Sequence, residues 1–193
     1  MNDSQSIADA ASKLPPDLVA TCARLEVSLT TDVLTVNATA QRLKRFQANA
    51  DEPSPGAFSL VREYVISTSR VGLGQKENSH RTPLGLHRIS DKIGGDAPKG
   101  TVFRGRQPVG LVQDGHPEAP IAHRILWLDG LEPGFNRGGD VDSHNRYIYI
   151  HGLGNESRLG QPDSIGCVHM AADDLIPLYD LLAVGTLVWI AEN

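Results

Sequence analysis

Tyr147-Ile148-Tyr149-Ile150-His151-Gly152, rejoined after a loop of small and polar residues by Ser164-Ile165-Gly166-Cys167-Val168-His169, is the stretch whose reading decides the fold. The first part alternates aromatic and β-branched residues and predicts a strand that delivers His151 and Gly152 at its end. Fifteen residues separate His151 from Cys167, so a loop that folds back sets an imidazole opposite a thiol. A thiolate is the nucleophile of cysteine chemistry, and a nearby imidazole can take its proton. The turn Ser164-Ile165-Gly166-Cys167 offers backbone N–H groups for an oxyanion, with Gly166 allowing a sharp approach. Gly152 can hold the second ring nitrogen of His151 through its own carbonyl. The ordinary alternatives stand beside this: a cysteine is commonly a small buried hydrophobe, and a histidine at a strand end a surface residue.

Outward from that stretch, the chain has the proportions of one domain. It holds 193 residues, 40% hydrophobic and 21% charged, with net charge −5. No basic run or stripe points to nucleic acid, and no stretch is long enough to cross a bilayer. The 19 glycines and 12 prolines imply many turns and favour β structure. Cys22 and Cys167 are too few for a disulfide framework and are expected to stay unpaired.

Residues 1–23 read as an N-terminal tail or short helix broken by Pro15-Pro16, and residues 24–193 as the domain. Residues 24–29 and 33–36 suggest a hairpin, 41–50 a short helix and 51–56 a loop. Strands are expected at 64–68, 86–89, 121–128 and 187–190. Residues 91–120 lack periodicity and read as a long loop over the cleft, a lid. Leucines at helical spacing predict a helix near 175–182, with Asp174 as cap because Pro177 suits a first turn. Trp127 and Trp189 are expected in the core, and His80, His87, His116 and His123 mostly in solvent.

His151-Gly152 and Ser164-x-Gly166-Cys167 at this spacing, with Gly160 and Pro162 between them, resemble the L,D-transpeptidase catalytic domain, the YkuD-like family. Thr82-Pro83-Leu84-Gly85 is similar to that family's Thr-Pro-x-Gly turn, and 185–188 to its closing strand. The resemblance implies a mainly β, sandwich- or barrel-like fold with one or two helices. It implies a cysteine acyl-enzyme acting on peptidoglycan stem tetrapeptides, with no cofactor and no metal. Cys167 would be the nucleophile, His151 the base and Gly152 its orienter. Ser164, Gly166 and Cys167 would shape the turn and oxyanion site. His169, Arg158, Thr82 and His87 would contact substrate. Two departures stand out: Ile165 where the family often has His, and His169 where it has Arg or Asn. A histidine cannot copy the donor fork of arginine. Arg104, Arg106, Arg137 and Arg158 are the residues considered as substitutes.

The chain opens Met1-Asn2-Asp3-Ser4, with no basic segment or apolar run behind it. If Met1 is the natural start, the expected location is the cytoplasm, or the periplasm if the native N-terminus differs. A cytoplasmic enzyme would meet muropeptide fragments rather than wall. That favours an L,D-carboxypeptidase releasing terminal D-Ala during recycling over a transpeptidase that forms cross-links or exchanges D-amino acids. Two other classes remain open. One is a metal hydrolase using His144, His151, His169, Asp140 and Asp142, which lacks a ligand motif. The other is a non-catalytic muropeptide-binding module.

Overall fold

The computed structural model describes residues 13–49 and 57–193. Ten strands form one sheet: β1 (Asp32–Asn37), β2 (Arg42–Ala48), β3 (Phe58–Ser67), β4 (Gly85–Ile93), β5 (Thr101–Arg104), β6 (Gln107–Leu111), β7 (Ala122–Gly130), β8 (Tyr149–Gly152), β9 (Val168–Met170) and β10 (Leu187–Ala191). The order is β4-β10-β1-β2-β3-β9-β8-β7-β5-β6, and β4 also pairs with β7. That extra pairing closes eight strands into a barrel and leaves β5–β6 as a hairpin on its side. Closure removes the unpaired edges that an open sheet would present. Among the described residues two α-helices accompany the barrel: α1 (Pro16–Arg24) and α2 (Ala172–Leu181).

Alternation along the strands sorts side chains to two faces. Leu34, Val36, Leu43, Ile66, Leu126, Leu128, Ile150, Val168, Val188 and Ile190 belong to one interior cluster, which α2 joins through Leu175, Leu178, Tyr179 and Leu182. The intervening residues Val33, Phe46, Leu86 and Leu187 belong to a second cluster with Leu14, Leu18 and Cys22 of the α1 region. Helix α1 therefore covers one outer face of the barrel, which is why β1 is buried on both sides. The boundary expected after residue 23 falls inside this helix. Pro16 does not break it but starts it, at the first turn where a missing N–H costs nothing.

Several expectations give way to tertiary context. Residues 24–29 form no strand, and the hairpin partner of β1 is β2, where a helix was expected. The helix-forming residues of 41–50 are overridden by pairing to β1 and β3, with Leu43 and Phe46 buried on opposite faces. The proposed loop at 51–56 lies outside the described residues. The stretch 91–120 is not one loop: β4 runs to Ile93, and β5 and β6 follow. Helix α2 begins at Ala172, with Ala171 rather than Asp174 at the cap position and Pro177 inside the helix. Its first N–H is satisfied from far away in sequence, by Glu156 Oε1 at 2.7 Å. No local cap signal could have revealed that.

Candidate active site

The decisive stretch builds a parallel pair. Strands β8 and β9 align Ile150 with Val168 and His151 with His169. Ile150 and Val168 face the interior, so His151 and His169 point outward, their rings 4.9 Å apart. Cys167 stands just before β9, on the same outward side as His169 and next to Tyr149. Thiol and imidazole are thus diagonal neighbours on one surface of adjacent strands. Both line a cavity of about 750 Å³ together with Arg146, Tyr147, Tyr149, Ile165 and His169.

The turn before Cys167 is fastened from two sides. The Asp163 and Ser164 N–H groups donate to Thr68 O at 2.9 and 3.0 Å, and Arg70 N–H donates to Ser164 O at 3.0 Å. Ser164 Oγ donates to Cys167 O at 2.6 Å and accepts from Gly166 N–H at 3.1 Å. Gly166 has φ +134°, a conformation that disfavours a side chain even though a Cβ would meet nothing closer than 3.4 Å. The expected share of Gly166 in an oxyanion site is not met by its N–H, which Ser164 already takes.

His151 is 2% exposed. Its Nδ1–H donates to Gly152 O at 2.9 Å. A carbonyl only accepts, so Nδ1 carries the proton and Nε2 presents a lone pair. Gly152 is held to glycine by crowding: a Cβ would lie 2.7 Å from His123 Cδ2 and 2.9 Å from Ala122 O. Burial, and then the neighbouring His169, push the His151 pKa down to about 3, against a raising pull from the Gly152 carbonyl. Burial pushes the Cys167 thiol up to about 11, while the Tyr149 backbone N–H and Arg146 pull the other way. The thiol donates to Tyr147 O at 3.4 Å. The resting pair is therefore a neutral thiol beside a neutral imidazole.

The other expected site residues divide. His169 lines the cavity, its Nδ1 is buried without a partner, and burial lowers its pKa to about 4. Arg158 instead pairs with Asp163 at 2.6 Å, and Asp163 is the one that reaches the cavity wall. Thr82 is fully buried and accepts from Ser69 N–H at 3.0 Å, and it does not line the cavity. His87 is likewise fully buried, bound to Gly85 O and Ser143 Oγ at 3.0 Å each, and has no access to substrate. His123, also expected in solvent, accepts from Gly100 N–H and donates from Nε2 to Leu153 O, both at 2.9 Å. Trp127 is half-buried, stacked 4.0 Å from His144 with Arg106 4.5 Å over it. Arg106, at the β5–β6 tip, donates to Tyr149 Oη at 3.3 Å. Arg104, Arg106, Arg137 and Arg158 are all outside the cavity lining, whereas Arg146 is in it.

Sequence reasoning missed Arg146 and Tyr149 as contributors to the thiol's surroundings, although Tyr149 lies inside the decisive stretch and Arg146 directly before it. Cys22 and Cys167 are unpaired. Among the described residues no group of histidine, cysteine and carboxylate side chains could hold a metal ion.

The profile of the L,D-transpeptidase catalytic domain (YkuD) matches residues 31–190. No curated protein matches the sequence. Among solved structures, Bd1075 of Bdellovibrio bacteriovorus is similar at 15% identity and TM-score 0.54, over 86% of this chain and 49% of that one. The L,D-transpeptidase of Enterococcus faecium is similar at 14% identity and TM-score 0.49, over 84% of this chain and 50% of that one. The chain thus spans about half the length of these two structures, and the likeness to Bd1075 is one of fold. The profile match runs from the turn before β1 into β10 and takes in His151, Gly152 and Cys167, so the chain belongs to the L,D-transpeptidase catalytic domain family.

Proposed function

We propose that the protein is a cysteine acyl-enzyme that cleaves the L,D peptide bond of peptidoglycan stem tetrapeptides and releases the terminal D-Ala by hydrolysis. The observation that carries this is the free lone pair on His151 Nε2, left by the Nδ1–H bond to Gly152 O, in the same cavity as the Cys167 thiol. His151 Nε2 takes the Sγ proton as the sulfur attacks the carbonyl at the L-centre of the third residue. The imidazolium then gives that proton to the departing amine of D-Ala, leaving a thioester on Cys167. Water attacks the thioester with His151 again as base, and the tripeptide leaves with a new carboxylate. Both resting groups are neutral, so no ion pair has to be desolvated before substrate arrives; proton transfer and attack are coupled.

Hydrolysis is favoured over transfer because the thiol, His151 and His169 share one chamber. A second depression of about 510 Å³ contains none of them. Water is the smallest acceptor and needs no binding surface of its own to reach the thioester. The test is incubation of the purified protein with a tetrapeptide muropeptide, with and without an added D-amino acid. Tripeptide and free D-Ala in both reactions are expected. Exchange of the D-amino acid as the main product overturns the hydrolytic assignment and leaves the acyl-enzyme in place.

A further inference from the structure

Arg146 stands five residues before His151 in the turn that leads into β8. Its guanidinium makes three hydrogen bonds, all to backbone carbonyls across a chain crossing: Nη1 to Gly74 O at 3.3 Å and Gln75 O at 2.6 Å, and Nη2 to Arg81 O at 2.6 Å. No carboxylate forms an ion pair with it among the described residues. The loop it grips, residues 72–81, supplies Glu77, Asn78 and His80 to the cavity wall. Asn78 and His80 hold left-handed backbone, at φ 61° and 58°. Such conformations persist only where surrounding contacts impose them. Arg146 is half-buried and is the sole lysine or arginine among the residues that line the cavity. It is close enough to Cys167 to oppose the effect of burial on the thiol.

We propose that Arg146 is a positioning and charge-supplying residue of this site: it fastens the 72–81 loop as a cavity wall, and its unpaired charge stabilises the anion that forms on Cys167 Sγ. The chemistry follows from the ligand set. Backbone carbonyls neutralise only part of a guanidinium, so Arg146 keeps positive charge near the sulfur, while the carboxylates of Glu77, Glu118 and Asp163 stand elsewhere on the wall. Because the guanidinium and the thiol are both partly buried, that charge acts on the sulfur at reduced screening. The resting thiol is uncharged, so the interaction strengthens as the S–H bond breaks. A stabilisation that grows toward the transition state raises kcat. The fork geometry that reaches three carbonyls belongs to arginine; a lysine brings the charge without the fork.

The inference concerns the same thiol as the proposed function and rests on it for the loop role, while the alkylation readout of the charge role does not depend on the substrate. The rate of iodoacetamide alkylation of Cys167 is followed against pH by intact-protein and peptide mass spectrometry. Full-length wild type, Arg146→Met and Arg146→Lys are compared. In Arg146→Met the midpoint of the alkylation curve is expected to rise by about one pH unit, since an adjacent charge shifts a pKa on that scale. In Arg146→Lys the midpoint is expected to stay close to wild type, while KM for a tetrapeptide muropeptide rises severalfold as the loop loosens. Circular dichroism verifies the fold of each variant. If Arg146→Met does not fold, the lysine variant still decides: an upward shift as large as one unit there removes the charge role. Unchanged midpoints in both variants overturn the proposal, and an unchanged KM in the lysine variant removes the loop role. Failure to turn over muropeptides with intact midpoint shifts would count against the substrate assignment alone.

Discussion

Cys22 and Cys167 have nearly the same acidity and opposite surroundings. Burial raises each thiol to about 11. Cys22 lies on the buried face of α1, packed with Leu14, Leu18, Val33 and Phe46, and the nearby Glu132 carboxylate pushes its thiol further in the same direction. Cys167 lies on the uncovered face, where a backbone N–H and a guanidinium pull against burial and an imidazole shares the chamber. One barrel thus carries two outer faces, one sealed by a helix and one left open, and a cysteine on each. A raised pKa alone does not separate a thiol sealed in a core from one open to a chamber. What separates them is the groups able to accept the proton and stabilise the charge.

The sharpest way to break this contrast is to remove the open-face sulfur. Cys167→Ala is expected to abolish D-Ala release, a loss on the order of 10³-fold or more, because the acyl-enzyme has no other nucleophile. Product release is measured by chromatography and the acyl adduct by intact mass. Turnover near the wild-type level by the variant would end the acyl-enzyme reading.

Next in size is the base. His151→Gln keeps a polar group near Gly152 O and removes the proton acceptor at Nε2. A loss of roughly 10²–10⁴ in kcat is expected, the usual contribution of a positioned general base. Alkylation of Cys167 near neutral pH should slow as well, because the thiol is mostly protonated there and the imidazole assists its ionisation. If alkylation is unchanged, His151 does not act on the resting thiol.

These two residues were legible in the sequence because the motif is local: strand, His-Gly, return loop, Gly-Cys. Strand pairing makes them neighbours with no help from distant residues. The barrel was legible for a related reason, since alternating β-branched runs at 64–68, 121–128 and 187–190 bury one face wherever they pair. What escaped was decided by long-range contacts. The 41–50 segment has helix-forming residues and becomes β2 because β1 and β3 flank it. His87 follows a turn that looks like a cleft element, yet its strand position turns it inward, opposite Val188 of the interior cluster. Arg146 was passed over because its partners are backbone carbonyls more than 60 residues away, which leave no mark on residue identity.

The sealed face predicts a stability effect without a catalytic one. Leu18 is fully buried on the inner face of α1, so Leu18→Ala is expected to cost about 2–5 kcal/mol in chemical denaturation. kcat per folded molecule should be unchanged, because α1 contributes nothing to the chamber wall. A loss of kcat in protein that remains folded would show that the two faces are coupled through the barrel.

Acid tests the buried imidazoles of the barrel interior against those of the open face. His87 is held neutral inside the barrel, its pKa lowered to about 4 by burial first and foremost, with Arg146 a lesser lowering influence. His151 at about 3 and His169 at about 4 behave alike. The unfolded chain binds these protons near pH 6.5 and the folded one does not. Stability is therefore full above about 6.5 and falls as pH drops toward 4. His87 alone accounts for a loss on the order of 3 kcal/mol across that window, at 1.36 kcal/mol per unit. Urea melts at pH 7.5 and 4.5 measure it. A smaller pH dependence in His87→Gln assigns the effect to the interior rather than to the open face, and an identical dependence would contradict that assignment.

The smallest effect returns to the sealed thiol. Cys22→Ala removes one buried sulfur from a cluster that closes around it, so the cost is about 1 kcal/mol and D-Ala release is unaffected. In the native protein iodoacetamide should label Cys167 and spare Cys22; in denaturant both should react at similar rates. The ratio of the two labelling rates measures the difference between the faces in a single sample, because each thiol serves as the other's control. Equal rates in the folded state would mean that α1 lifts off the barrel often enough to expose its cluster. The distinction between the faces would then be one of lifetime, not of architecture.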